Sequence, residues 1–79
     1  MTEQEEFACE IYCERLTFYR QLRNEFADMV PLNYLQAAAL DTLIKAKVDE
    51  ASSYRRLLSL DLNADKAIRF GIKRGLFTE

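Results

Sequence analysis

The fold is decided by residues 32–60, LNYLQAAALDTLIKAKVDEASSYRRLLSL, which contain neither glycine nor proline. Apolar side chains recur in this stretch every three or four residues, the repeat that places them on one stripe of an α-helix. The positions that keep this spacing are Ala37, Leu40, Ile44, Lys47, Ala51, Tyr54 and Leu58. We therefore predict one long helix over 32–60 whose stripe faces another helix.

Lys47 is the charged residue on this otherwise apolar stripe. Its methylene stem can lie along apolar neighbours while its ammonium group reaches water. Alternatively, it forms a buried pair that sets the register of the helices or the choice of partner. Both interpretations are compatible with the sequence.

A second long helix is predicted over residues 3–29. Thr2 is a suitable N-cap, and Glu5 follows it at the spacing of a capping box. Residues 1–14 carry five glutamates and no basic residue, which suits the positive end of a helix dipole. Mimicry of nucleic-acid phosphates is the functional alternative for this acidic run. The apolar face of the helix is wider than one neighbouring helix covers.

Pro31 lies between the two long helices, where its missing N–H favours a helix end or a first helical turn. A turn of two or three residues there predicts a long antiparallel helical hairpin. Folding the chain at this turn brings Arg15 level with Lys47, with Glu14 and Glu50 as the nearest acids of the same chain. Arg15 and Lys47 are our candidates for binding a partner, since interfacial arginine often dominates binding energy.

A short third helix is predicted over residues 64–74, with Asn63 as its N-cap and Gly75 as the residue that ends it. Its four basic residues are further candidates for contacting a partner: Lys66, Arg69, Lys73 and Arg74. Basic side chains near a helix C-terminus are also favoured by the helix dipole, which is the structural explanation for the same residues.

These predictions combine into one all-α domain, residues 1–79, made of a long antiparallel helical hairpin plus a short C-terminal helix. A chain of this size buries only about 60% of its unfolded surface, so oligomerisation is a usual source of stability. We expect two copies to dimerise into a helical bundle. The predicted core and dimer face comprises Tyr12, Leu16, Tyr19, Leu22, Phe26, Leu40, Ile44, Ala51, Tyr54 and Leu58.

The two cysteines, Cys9 and Cys13, lie four residues apart on the first predicted helix. A structural zinc site needs four ligands, and the sequence has no histidine to complete one. A disulfide within one helix has poor geometry. We interpret the pair as small apolar residues beside a buried face. The alternatives are a cysteine contact between two copies or a metal shared by them. We expect no metal or cofactor in a single chain.

We expect no enzymatic activity, because the sequence offers no histidine, no glycine-rich phosphate loop and no nucleophile with a base. The net charge of −2 attracts the chain neither to nucleic acid nor to a membrane surface. No stretch approaches the roughly 18 apolar residues of a membrane span. No apolar run follows a basic N-terminus, so we expect a cytoplasmic protein without a signal peptide.

The function that these patterns favour is protein–protein binding, by a homodimer that occupies a surface of a larger protein. Inhibitors, anti-activators, antitoxins and chaperones act in this way, phage-encoded inhibitors of host machinery among them. The alternative is a nucleic-acid-binding regulator that contacts phosphates through the basic third helix.

Overall fold

The computed structural model describes residues 1–27 and 34–77, and in these residues it contains three α-helices and no strand. Helix α1 spans Glu3–Ala27, α2 spans Tyr34–Ser59 and α3 spans Ala64–Lys73. The prediction of an all-α protein is confirmed. Of the predicted helix ends, Leu60 and Arg74 lie in turns, and 28–33 lie outside the described residues. None of the described helices combines the length and the apolar content needed to cross a membrane.

The start of α1 is a capping box, as predicted. The Thr2 N–H donates to Glu5 Oε1 at 3.1 Å, and the Glu5 N–H donates to Thr2 Oγ1 at 3.2 Å. This reciprocal pair satisfies two donors that have no partner inside the helix. The hydrogen bond from the Thr2 amide also lowers the pKa of Glu5, because it stabilises the carboxylate.

The end of α2 is a Schellman turn built around Asp61, which adopts the left-handed conformation with φ of 58°. The Leu62 N–H donates to the Leu57 carbonyl at 2.9 Å, and the Asp61 N–H donates to the Leu58 carbonyl at 3.1 Å. Leu57 and Leu62 are both buried, so the turn also supplies the apolar contact that accompanies this motif. The turn thereby fixes which side of α2 points inward.

Both ends of α3 follow the sequence prediction. Asn63 Oδ1 accepts the Lys66 N–H at 2.8 Å, which is an N-cap. After the helix, Gly75 is left-handed with φ of 71°, and the Leu76 N–H donates to the Gly71 carbonyl at 2.8 Å. The short helix is therefore held in place at both termini by local hydrogen bonds.

The hydrophobic core lies where α1, the end of α2 and α3 meet, and α3 packs mainly on α1. Its buried members are Ala8, Cys9, Tyr12, Leu16, Leu57, Leu62 and Ala67. Gly71 allows the close approach of α3, because a Cβ there would lie 2.7 Å from Cys13 Sγ and 2.6 Å from a carbon of the Phe77 ring. Such distances leave no room for a side chain.

The first two helices run antiparallel along the part of their length that is described. The Tyr12 hydroxyl meets Glu50, and further along α1 the Tyr19 ring meets Lys47, which comes earlier in α2. Residue numbers therefore rise along α1 as they fall along α2. The connecting segment lies outside the described residues, so the hairpin turn itself stays a prediction.

The side of α2 that faces the core is not the predicted stripe. Over residues 40–59, the part of α2 whose side chains are described, the buried residues are Ala46, Glu50, Ser53 and Leu57. Of the predicted core and dimer face, Leu40, Ile44 and Leu58 are 40–55% exposed in the single chain, so their burial at a dimer face stays a prediction. The exposure arises because the Schellman turn points Leu57 inward, which rotates the neighbouring Leu58 outward.

The α1 residues of the predicted face are more buried in the single chain than the α2 residues. Tyr12 and Leu16 are buried, which confirms them as core residues. The remaining α1 members of the predicted set, together with one residue of α2, are half-buried: Tyr19, Leu22, Phe26 and Ala51. Tyr54 is 36% exposed and lies with its ring centroid 6.1 Å from that of Tyr12. The dimer role of these residues stays a prediction.

Candidate functional site

An exposed apolar row runs along α2, and we call it the α2 stripe. It comprises Leu40, Ile44, Val48, Ala51, Tyr54 and Leu58. The row extends over about 27 Å at 1.5 Å per residue, and Ile44 and Val48 are 55% and 61% exposed. Single exposed apolar residues are ordinary, but a row of them is a candidate binding surface.

Beside the α2 stripe, a buried carboxylate lies between α1 and α2. Glu50 accepts the Tyr12 hydroxyl at 3.5 Å and pairs with the Lys47 ammonium at 2.9 Å. The Lys47 ammonium also lies 5.0 Å from the centroid of the Tyr19 ring, in cation–π range. Burial, followed by the negative charge of Glu50, raises the pKa of Tyr12.

Both interpretations of Lys47 are thus partly correct. Its side chain is 56% exposed, as expected for a stem that reaches water, yet its ammonium group pairs with a buried acid. Of the two acids predicted to lie nearest to Arg15 and Lys47, Glu14 and Glu50, it is Glu50 that pairs with Lys47. What the sequence did not reveal is that Glu50, rather than the lysine, is the charged residue inside the helix pair.

Arg15 lies at about the same level as Lys47 but does not share its surroundings. The Arg15 side chain is exposed, and its Nη1 donates to the backbone carbonyl of Asp49 at 3.3 Å. Each residue turns a helix by about 100°, so residues 47 and 49 point in nearly opposite directions, about 160° apart, around α2. Arg15 and Lys47 therefore lie on opposite sides of the helix pair and do not form one site.

The side that carries Arg15 contains a groove of about 370 Å³ between α1 and α2, which we call the arginine groove. Phe7, Ile11 and Arg15 line it from α1, and Ser52 and Arg56 line it from α2. None of the side chains that line the groove is acidic. It therefore combines an apolar wall with two guanidinium groups and a hydroxyl.

A second groove, of about 550 Å³, lies along another side of α1 and has the opposite charge. It is lined by Glu10, Glu14 and Phe18 from α1 and by Leu76 after α3. Thr17 also lines it, and its hydroxyl oxygen is buried without a hydrogen-bond partner among the described residues. We call this the acidic groove, so that α1 presents a basic and an acidic groove on different sides.

Arg74 is held against the acidic first turns of α1. Its guanidinium group lies 3.3 Å from Glu6 and 3.7 Å from Glu10, and its central carbon lies 4.9 Å from the centroid of the Phe70 ring. The acidic run thus has partners within the chain, besides the capping role of Glu5. These contacts explain the run without mimicry of nucleic-acid phosphates.

The other basic residues of α3 remain on the surface. Arg69 pairs with Asp65 at 3.1 Å, and both side chains are largely exposed. Lys66 and Lys73 line a shallow depression together with Phe70. Two of the four predicted basic contact residues, Arg69 and Arg74, are therefore already paired with carboxylates.

The two cysteines belong to the core. Cys9 and Cys13 are free thiols with no exposed surface, and Cys13 Sγ donates to the Ala67 carbonyl at 3.2 Å. Burial raises the pKa of Cys13 to about 11 and also raises that of Cys9. Their burial favours the packing interpretation over a contact between copies or a shared metal. Among the described residues, no three potential ligands cluster to hold a metal ion.

Sequence reasoning selected Arg15 but missed most of the groove in which it lies. Phe7, Ser52 and Arg56 were not singled out, although Ser52 and Arg56 have the four-residue spacing that places side chains together on a helix. Recognising them requires knowing which side of α2 meets α1, and the apolar pattern of α2 indicates a different side from the one that is buried in the single chain.

No protein-family model matches this chain, and no curated protein or solved structure matches it either. The surfaces of the chain itself, chiefly the α2 stripe and the arginine groove, are therefore the features that indicate a function.

Proposed function

We propose that this chain is a non-enzymatic binding protein that forms a helical hairpin, pairs with a second copy through the α2 stripe and acts on a larger protein. The observation that carries the proposal is the exposure of the α2 stripe. Removing apolar side chains from water is favourable, so covering this row would stabilise a complex. Inhibitors, anti-activators, antitoxins and chaperones all act by occupying a surface in this way.

The α2 stripe is complementary to itself when two copies are laid antiparallel. A two-fold axis that passes between the two α2 helices at the level of residue 49 places Leu40 opposite Leu58 of the other copy. The reason is that residues 40 and 58 lie equally far along the helix from position 49. The same axis places Ile44 opposite Tyr54. Four of the large side chains, Leu40, Ile44, Tyr54 and Leu58, then meet an apolar side chain, as an isologous interface requires. Near the axis, Val48 falls opposite position 50 and Ala51 opposite Lys47, so the centre of the row is the less complementary part.

The charged margin of the stripe supports the same arrangement. Arg55 and Asp41 lie on the same edge of α2, and the two-fold axis brings Arg55 to within about 3 Å, along the helix axis, of Asp41 of the other copy. Within one chain, Asp41 pairs with Lys45 at 2.9 Å, but both side chains are well exposed. Such a pair contributes little and is easily exchanged.

The nucleic-acid alternative has weaker support. Arg69 and Arg74 are paired with carboxylates, so fewer basic groups on α3 remain to neutralise phosphates. The overall charge of −2 also opposes association with a polyanion. Salt-sensitive binding of DNA or RNA that requires Lys66 and Lys73 would favour this alternative over the proposal.

The proposal is tested by molar mass from light scattering, measured over a range of protein concentrations. The chain has a mass of 9.2 kDa, so we expect twice 9.2 kDa for the unmodified protein. Ile44→Asp should give a folded monomer with unchanged helix content by circular dichroism, because Ile44 is exposed in the single chain. Phe18→Asp is the matched control, since Phe18 is similarly exposed but lies on α1.

Two results contradict the pairing. One is an unmodified protein that stays at 9.2 kDa at every concentration. The other is a dimer that survives Ile44→Asp but dissociates with Phe18→Asp, which would move the interface to α1.

A further inference from the structure

We infer that the arginine groove binds an acidic, apolar segment of a partner protein. The inference rests on the proposed function, in that it supplies the chemistry of the partner on which a binding protein would act. It concerns a different surface from the α2 stripe, so the two can fail separately.

The apolar wall of the groove determines what kind of segment fits. Phe7 is 61% exposed and Ile11 is half-buried, and both belong to one side of α1. From Phe7 to Arg15 the wall extends over about 12 Å, roughly two turns of a helix laid along it. This is the geometry in which an amphipathic helix places its apolar face in a groove between two helices.

The two guanidinium groups determine the charge of the segment. Arg15 uses one donor for the Asp49 carbonyl, and neither Arg15 nor Arg56 forms an ion pair with a described residue. Arginine presents its donors as a planar fork that suits a carboxylate. Because none of the described side chains that line the groove is acidic, its arginines are available to the carboxylates of another molecule.

A second copy of this chain is a poor occupant. An antiparallel pairing of two α1 helices about their middle would bring the two Arg15 side chains to the same edge, where like charges repel. A small anionic amphiphile is also a poor fit, because small-ligand pockets enclose most of their ligand. Here Phe7, Arg15 and Arg56 are all exposed to solvent, as expected for an open docking groove.

The test uses a synthetic helical peptide of about three turns, with leucine along one face and glutamate on both flanks. Its matched control carries lysine in place of every glutamate. Titration of the full chain, followed by backbone amide NMR, should shift signals of residues 7–15 and 52–56. We expect the acidic peptide to bind at least about tenfold more tightly than the basic one, and added salt to weaken it.

Variants locate the site and separate the two proposals. Arg15→Gln combined with Arg56→Gln should weaken binding of the acidic peptide about tenfold or more, since bonds to charged groups are lost. Arg69→Gln, an exposed arginine away from the groove, should leave binding unchanged. Ile44→Asp should also retain binding, so loss of the dimer and loss of peptide binding are distinguishable.

Three results overturn the inference. The first is the absence of any shift in residues 7–15 or 52–56 with the acidic peptide. The second is equal affinity for the acidic and basic peptides, which would mean that the arginines do not select the ligand. The third is binding of laurate at this groove without binding of the peptide, which would indicate a small amphiphile instead.

Discussion

The three-helix end of the α1–α2 pair and its middle are built in opposite ways. Where α3 joins them, the interior is apolar and closed, and Leu57 and Cys9 have no exposed surface. Towards the middle, the interior holds Glu50 and Ser53, while large apolar side chains such as Ile44 lie outside. The difference teaches that the three-helix end buries its apolar side chains within one chain, whereas the middle leaves a row of them exposed, where we propose that a second copy binds.

The largest expected effect contrasts two adjacent leucines of α2. Leu57→Ala empties a fully buried position in the three-helix end and should lower the free energy of unfolding by about 2–5 kcal/mol. Leu58→Ala removes the same atoms from a position that is 50% exposed, and should cost less than about 1 kcal/mol in the monomer. Urea denaturation at a concentration where the chain is monomeric measures both values.

Raising the protein concentration separates the two variants, Leu57→Ala and Leu58→Ala, further. Leu58 becomes buried if copies pair through the α2 stripe, so the cost of Leu58→Ala should then increase while that of Leu57→Ala stays constant. If the two variants lose equal amounts of unfolding free energy at every concentration, then Leu57 and Leu58 are equally buried, which contradicts the orientation of α2 in the structure.

The closed end also predicts a dependence of stability on pH. Burial raises the pKa of Cys13 from its ordinary 9.0 to about 11, so the folded state favours the neutral thiol. The resulting stability is complete below pH 9 and is lost as the pH rises towards 11, by up to about 2–3 kcal/mol. Denaturation at several pH values between 8 and 11 should show this decline.

Cys13→Ala is the control for this decline. Removing the thiol should reduce the loss of stability between pH 9 and 11, and the loss that remains comes from Tyr12 and Cys9, whose pKa values are also raised. A variant that loses as much stability as the parent over this range would show that Cys13 does not carry the effect.

Local features were predictable from the sequence because each depends on a few neighbouring residues. The capping box at Thr2, the N-cap at Asn63 and the left-handed Gly75 all form where their residue types indicate. The rotation of α2 was not predictable in this way. Residues 40, 44, 51 and 58 are all apolar, whereas the buried row 46, 50, 53 and 57 includes Glu50 and Ser53, so apolar periodicity favours the row that lies outside.

Docking of α3 is what decides between the two rows. The Schellman turn at Asp61 places Leu57 and Leu62 together in the core, and α2 turns accordingly. The candidate site depends on the same rotation. Arg15 was predictable from its place on an apolar face, but its groove partner Arg56 becomes visible only once the orientation of α2 is known.

The smallest expected effect concerns the polar middle of the helix pair. Lys47→Met keeps the apolar stem but removes the ammonium group 2.9 Å from Glu50, leaving a buried carboxylate with the Tyr12 hydroxyl as its remaining side-chain partner. Because the lysine is half exposed, solvent screens the pair, and we expect a loss of about 1 kcal/mol. Adding Glu50→Gln should recover most of that loss, since an uncharged amide needs no cation.

A double-mutant cycle on Lys47 and Glu50 therefore measures whether the charges inside the middle depend on each other. A coupling energy near zero would mean that Glu50 is stabilised by water and by Tyr12 alone, and the middle would then be an open, hydrated seam. A coupling of about 1 kcal/mol would mean that the lysine is required because the acid is buried. That result would explain why a basic residue, Lys47, lies beside the apolar α2 stripe. Its ammonium group neutralises the buried Glu50 between α1 and α2, and the apolar side chains of the stripe remain exposed.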